Sequence, residues 1–319
     1  MGKFLVKQIT DFDNVKVGDE VPESDYSTIT SSGKFVQLEY KEQEAQHEPY
    51  KIYPGIWCIQ KTMVGLKLER TSFTNDKILD SFIHTKTIEE KIDCFFNKLD
   101  IYKKYGIDIP TRKILLYGPA GSGKTTVLSK ICQKYVASGN TAVVLWHTDK
   151  FEPYQVKDFI KSFHYENVNN LILIAEDIGG VEIDQVRMKS DSSLLSLLDN
   201  QEKTFSIPTL IIATTNHPEI FLGNLTNRPG RFSDKIEVGK PDAKSRFALL
   251  KFFAGEELPQ EVERLILSDK CKDFTPDHLK ESVIRSALYD KTLIDTVIEI
   301  AEEIETFNRA FQKEKRMGL

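Results

Sequence analysis

Two short stretches of this chain have residue types and spacing that could do chemistry. The first, "GPAGSGKTT", runs from Gly118 to Thr126 and fits the spacing G-x-x-x-x-G-K-[ST]. Its backbone (Gly118, Pro119, Ala120, Gly121, Ser122, Gly123) can fold so that N–H groups converge on phosphate oxygens. Lys124 then supplies a cation for the outer phosphates, Thr125 a hydroxyl for Mg²⁺, and Thr126 completes the turn into a helix. The second, "ILIAEDIGG", ends an apolar run in two adjacent carboxylates, Glu176 and Asp177. Acids at the end of a buried strand are costly unless a cation or a reaction uses them.

Both stretches need a framework. "KILLYG", "TAVVLW", "NLILIAE" and "TLIIATT" are near-continuous apolar runs that alternate with helical patterns. That is the signature of a parallel sheet covered on both faces. The loop follows one such strand and opens the apolar helix "TTVLSKICQKYV", so its context agrees with its letters. Upstream, "TIEEKIDCFFNKLDIYKKYG" puts Ile88, Ile92, Phe95, Phe96 and Leu99 on one helical face. The expected organisation has three parts. Residues 1–80 form a small β-rich domain, from runs such as "KFVQLEY", "GIWCIQK" and "VGLKLERTSF". Residues 81–241 form the α/β domain, and residues 242–319 a helical lid. In the lid, "FTPDHL" offers Thr275 as a helix cap and Pro276 as the first helical residue. The last helix carries a seam of Leu293, Val297, Ile300, Ile304, Phe307 and Phe311, read as packing into a small bundle, with a coiled coil as the alternative.

Composition narrows the function. The 319 residues are 40% hydrophobic and 29% charged, with a net charge of −5, which suits a folded protein and lacks the basic excess of a dedicated nucleic-acid binder. Cys58, Cys94, Cys132 and Cys271 are too dispersed for a metal knuckle and read as buried free thiols of a reducing compartment. His47, His84, His147, His164, His217 and His278 form no spaced cluster, and none is assigned a catalytic role. The polar N-terminus and the lack of an apolar run of about 18 residues predict a cytoplasmic protein without a membrane span.

The chain resembles the AAA+ ATPases. "YGIDIPTRKILLYGPAGSGKTT" is similar to the opening of their AAA module, and "TTNHPEIFLGNLTNRPGRFSDKIEVGKPD" to its second region of homology. The likeness covers roughly residues 83–319, and the acid order with the "RPGRF" box most resembles the mitochondrial respiratory-chain assembly group. The resemblance implies a P-loop NTPase fold that binds ATP and Mg²⁺ in a ring, usually of six copies. Asn216 would be the polar sensor of the γ-phosphate. Arg228 and Arg231 would reach the neighbouring subunit's ATP, where a permanent, forked cation suits phosphate oxygens.

The resemblance also frames the acid pair. Relatives place Asp before Glu; here the order is reversed. Position for position, Glu176 takes the metal role beside Thr125, and Asp177 orients the lytic water. Two alternatives stay open: Glu176 turns into a neighbouring ion pair and leaves Asp177 as metal ligand, or the site holds nucleotide without turnover. The aromatic-hydrophobic-Gly triplet of polypeptide-threading relatives is missing from "LWHTDKFEPYQVKDF", where Trp146, Phe151 and Tyr154 read as core. The expected function is a chaperone-like, Mg-ATP-dependent homohexameric remodeller of proteins, with a target or adaptor on the N-terminal part. A nucleic-acid motor and an ATP-gated scaffold are the rivals.

Overall fold

The computed structural model describes residues 3–9, 20–22, 36–41, 50–62, 65–73, 85–147, 153–178, 205–218 and 232–317. The chain divides into two units, Met1–Tyr50 and Lys51–Leu319. In the first, β1 (Lys3–Ile9) pairs antiparallel with β2 (Glu20–Pro22) and with β3 (Val36–Lys41).

The second unit is built on a seven-stranded sheet. Its elements in chain order are β4 (Tyr50–Ile52), β5 (Gly55–Thr62), β6 (Gly65–Thr71), α1 (Thr85–Asn97), α2 (Leu99–Lys104), β7 (Thr111–Tyr117), α3 (Lys124–Ala137), β8 (Thr141–His147), α4 (Pro153–Lys161), β9 (Phe163–Tyr165), β10 (Asn170–Glu176), β11 (Thr209–Thr215) and β12 (Asp234–Glu237). The sheet order is β12-β7-β11-β10-β8-β5-β6, and β4 pairs with β9 apart from it. All neighbours run parallel except β6, which returns antiparallel on β5. Both faces are covered. On one, Ile88, Ile92 and Phe95 of α1 and Val127, Leu128, Ile131 and Cys132 of α3 pack on Ile114, Leu116, Val143, Leu145, Ile172, Ile174, Leu210 and Ile212. The intervening residues Leu115, Val144, Leu173 and Ile211 are equally buried on the other face. Double burial explains why β10 and β11 read as unbroken apolar runs.

The expected boundary near residue 80 does not match this division. β5 and β6 were assigned to a separate β-rich domain, yet β5 pairs with β8 from Gly55↔Ala142 to Cys58↔Leu145. The physical reason is that β5 is buried on both faces: Ile56 and Cys58 on one and Ile59 on the other are at most 8% exposed and need a core that a short β-rich segment cannot provide. A β-prone run read alone does not say which strand it will join.

The lid is α5 (Ala243–Ala254), α6 (Gln260–Leu267), a 3₁₀ turn at Asp269–Cys271, α7 (Pro276–Leu288) and α8 (Leu293–Met317). Its core joins Leu249, Leu250, Val262, Ile266, Phe274, Leu279, Val297 and Ile300. Of the expected α8 seam, Val297 and Ile300 are buried and Leu293 and Ile304 pack against them, but Phe307 is 78% exposed. The 13-residue α7 is too short to cover the far half of the 25-residue α8. The Phe311 side chain lies outside the described residues. Cys58, Cys132 and Cys271 are buried thiols as expected; Cys94 is exposed on α1. Trp146 is fully buried, whereas the side chains of Phe151 and Tyr154 fall outside the described residues. Among the described residues no helix is long and apolar enough to cross a membrane.

Candidate nucleotide site

The loop from Gly118 to Gly123 bridges the end of β7 and the start of α3. Backbone contacts fix its position. Gly118 N–H donates to Thr215 O at 3.3 Å, and Val238 N–H to Tyr117 O at 2.7 Å. Gly118 is wedged so tightly that a Cβ there would lie 2.1 Å from Val238 O. Gly121 has φ of +72°, and a Cβ would meet Thr275 Oγ1 and Asp277 Oδ2 at 3.0 Å each. The lid therefore touches the loop, and Asp277 N–H also approaches Gly121 O at 3.4 Å. The first turn of α3 begins at Gly123 without a side-chain cap. Its N–H groups and dipole suit an anion.

Lys124 is buried at the base of this loop. Its Nζ donates to Gly118 O at 2.8 Å, Pro119 O at 2.9 Å, Ser122 Oγ at 3.4 Å and Asn216 Oδ1 at 2.6 Å. Burial pushes the ammonium below the ordinary lysine value, and the Asp177 and Asp277 carboxylates oppose that shift. A cation so poorly solvated gains from incoming phosphate charge.

Asn216 continues the chain of contacts. While Oδ1 accepts from Lys124, its Nδ2 donates to Asp177 Oδ1 at 2.9 Å. Three successive sheet neighbours, β7, β11 and β10, thus bring loop, amide and acid together. Asp177 itself has φ of +51°. Few residues accept this left-handed conformation, and Asp is one of them. Thr214 holds it: Asp177 N–H donates to Thr214 Oγ1 at 2.9 Å, and Ile178 N–H to Thr214 O at 2.8 Å. The turn sends the Asp177 side chain away from the line of β10, so the two acids differ in surroundings. Glu176 Oε2 lies 3.1 Å from His147 Nδ1 at the end of β8.

Oxygen donors of this kind fit Mg²⁺. Thr125 on the first turn of α3, Glu176 and Asp177 offer a hydroxyl and two carboxylates, and Mg²⁺ asks of a protein only one or two carboxylates beside phosphates and waters. Among the described residues no three His, Cys, Asp or Glu side chains group as a metal centre.

The structure brings together Lys124, Asp177 and Asn216 and the backbone of Gly118, Gly121 and Gly123. Arg228 and Arg231 lie outside the described residues. Sequence reading missed Thr214 and His147. A signal for His147 was present: "TAVVLWH" and "NLILIAE" are apolar runs of equal length that both end in a polar side chain, and the sheet pairs them end to end, Thr141 next to Asn170 and His147 next to Glu176.

Residues 114–240 match the model of the ATPase family associated with various cellular activities (AAA). The chain is 25% identical over 240 residues to a cell division cycle protein 48 homolog of Archaeoglobus fulgidus, an alignment covering 69% of the chain and 31% of the relative. It is 27% identical over 252 residues to ATP-dependent zinc metalloprotease FtsH 1 of Petrotoga mobilis, covering 73% and 36%. With the proteasome-activating nucleotidase of Methanothermobacter thermautotrophicus it shares 30% over 200 residues, covering 57% and 46%. The chain thus spans less than half the length of these relatives.

Proposed function

By this module the chain belongs to the AAA+ ATPases, and from that premise we propose that it hydrolyses Mg-ATP at the interfaces of a homomeric, usually six-membered ring and uses the cycle to remodel a protein or protein complex. The observation that carries the reading is the chain of contacts Lys124–Asn216–Asp177 behind the phosphate loop. Its geometry suits phosphoryl transfer to water. The loop N–H groups and the start of α3 hold the phosphates. Lys124 exchanges the loop carbonyls of Gly118 and Pro119 for oxygens of the outer phosphates, keeps its contact with Asn216, and neutralises charge as it develops. Asp177 orients the attacking water and accepts its proton, and Asn216 ties that acid to the lysine so that both face the same phosphate. Glu176 and Thr125 would hold Mg²⁺, which would supply positive charge to the phosphate oxygens. Arg228 and Arg231 act on the neighbouring subunit's ATP. The N-terminal unit engages the target or adaptor. Two relatives support a protein target by what their names state, one an ATP-dependent metalloprotease and one a proteasome activator.

The test is phosphate release by the purified full chain. Wild type should turn over Mg-ATP and Lys124→Ala should not bind it. Asp177→Asn should bind Mg-ATP but release phosphate at least about tenfold more slowly, the scale of a lost base. A wild-type rate from Asp177→Asn would remove that residue from the mechanism. For the ring, Lys124→Ala mixed with Arg228→Ala should regain activity that neither has alone, because one supplies an arginine to the other's intact pocket. Mixed assemblies with no regain would sink the shared site.

A further inference from the structure

His147 closes β8 and Glu176 closes β10, and the two are direct partners in the parallel ladder between those strands. Paired positions on adjacent strands point their side chains to the same face of the sheet. The imidazole and the carboxylate are therefore set side by side by the backbone, with Nδ1 and Oε2 3.1 Å apart. The base is rigid: Trp146 and Ala175, the preceding pair in the same ladder, are 0% and 1% exposed. The Glu176 side chain is 17% exposed, so little water competes for its oxygens. From α3 below, burial pushes the Cys132 thiol up, and the Glu176 charge adds to that shift, so the thiol stays neutral and places no second negative charge beside Glu176. Glutamate has one more rotatable bond than aspartate. Fixing its carboxylate costs more entropy unless a neighbour holds it.

We propose that His147 is a positioning residue for Glu176: by anchoring one carboxylate oxygen, it holds the longer acid in place to take the Mg²⁺ of Mg-ATP. The proposal rests on the reading of Glu176 as the metal-holding acid. It accounts for the reversed acid order, because a histidine at the adjoining strand end takes up the reach of the extra methylene. The opposite reading of the same contact is that His147 sequesters Glu176 from the metal. The two differ in sign when His147 is removed.

The experiment measures ATP binding to the full chain first with excess EDTA, then across a Mg²⁺ titration, for wild type, His147→Ala, His147→Asn and Glu176→Gln. Metal-free affinity should stay within about twofold of wild type, which also reports that the pocket is folded. The Mg²⁺ concentration for half-maximal gain in affinity should rise about 10-fold or more in His147→Ala, the usual cost of losing a residue that orients a metal ligand. His147→Asn, whose amide can still donate to Oε2, should recover part of the loss. A midpoint that is unchanged or lower in His147→Ala, with a raised midpoint in Glu176→Gln, overturns the role of His147 alone. An unchanged midpoint in Glu176→Gln overturns the metal role of Glu176 and the proposal with it. If His147→Ala loses metal-free binding through misfolding, His147→Asn decides: a midpoint between wild type and Glu176→Gln supports the proposal, and one at or below wild type overturns it.

Discussion

The phosphate loop and the acid pair sit at the ends of strands in one sheet but are positioned by different means. The loop is held by backbone: Gly118 N–H on Thr215 O, Val238 N–H on Tyr117 O, and no room for a Cβ at Gly118. The acids are held by side chains of other strands: Asp177 by Thr214 and Asn216, Glu176 by His147. A backbone site tolerates almost no change at its glycines and depends little on the identity of its neighbours. A side-chain site can shift its residues, even exchange the order of two acids, provided the partners change as well.

Substitutions can break or sharpen this contrast, and the largest effect belongs to the loop. Gly118→Ala should cost about 2–6 kcal/mol in denaturant unfolding, from overlap with Val238 O and backbone strain together, and should abolish nucleotide binding. Near-wild-type stability and binding would mean that the loop is not braced by its backbone. Next comes Thr214→Val, which keeps the shape and removes the hydroxyl that accepts from Asp177 N–H. A donor left without its acceptor costs about 1–3 kcal/mol. Because the acid is displaced and the loop is not, phosphate release should fall severalfold while ATP affinity stays within about twofold of wild type. Equal losses in both would erase the distinction between the two regions.

The smallest effect concerns the lid's contact with the loop. Thr275 caps α7 in a reciprocal box in which His278 Nδ1 accepts from Thr275 N–H at 3.0 Å. Burial pushes the His278 imidazole below the ordinary histidine value, with Asp277 opposing. A lowered folded value favours the neutral ring in the fold. The stability it contributes is complete above the ordinary value of about 6.5 and is lost as pH falls below it. A protonated Nδ1 cannot accept, so urea unfolding from pH 7.5 to 5.5 should show a loss of at most about 1 kcal/mol, kept small by the half-exposed position. His278→Gln should flatten that part of the profile; an unchanged slope would remove His278 as its source.

The same contrast governs what could be read beforehand. The loop was legible residue by residue because its chemistry is that of consecutive backbone atoms. β10 and β11 were legible to their end residues, since burial on both faces leaves an unbroken apolar run. Thr275 and Pro276 were legible because capping is local. His147 and Thr214 were not, because their importance depends on which strand lies beside which, and sequence spacing does not encode strand order. β5 and β6 were legible as strands but expected in a separate β-rich domain, for the same reason. The α8 seam was followed past Ile304 to an exposed Phe307, because periodicity records a stripe and not where its covering ends.

The union of β5 with β8 has a consequence for how the chain is made and cut. Ile56 leaves the ribosome long before its partner Val143, so β5, with only its hairpin partner β6 at hand, must wait for more of the sheet to be synthesised. Closing so long a loop slows assembly and leaves a sticky segment exposed meanwhile. A fragment started at residue 81, where composition suggests a clean cut, would keep every residue of the phosphate loop yet strip β8 of its neighbour. The bared edge would belong to a strand whose Ala142, Val143 and Val144 are 0% exposed in the intact fold. Such an edge recruits other chains, so the shortened protein should aggregate where the longer one does not.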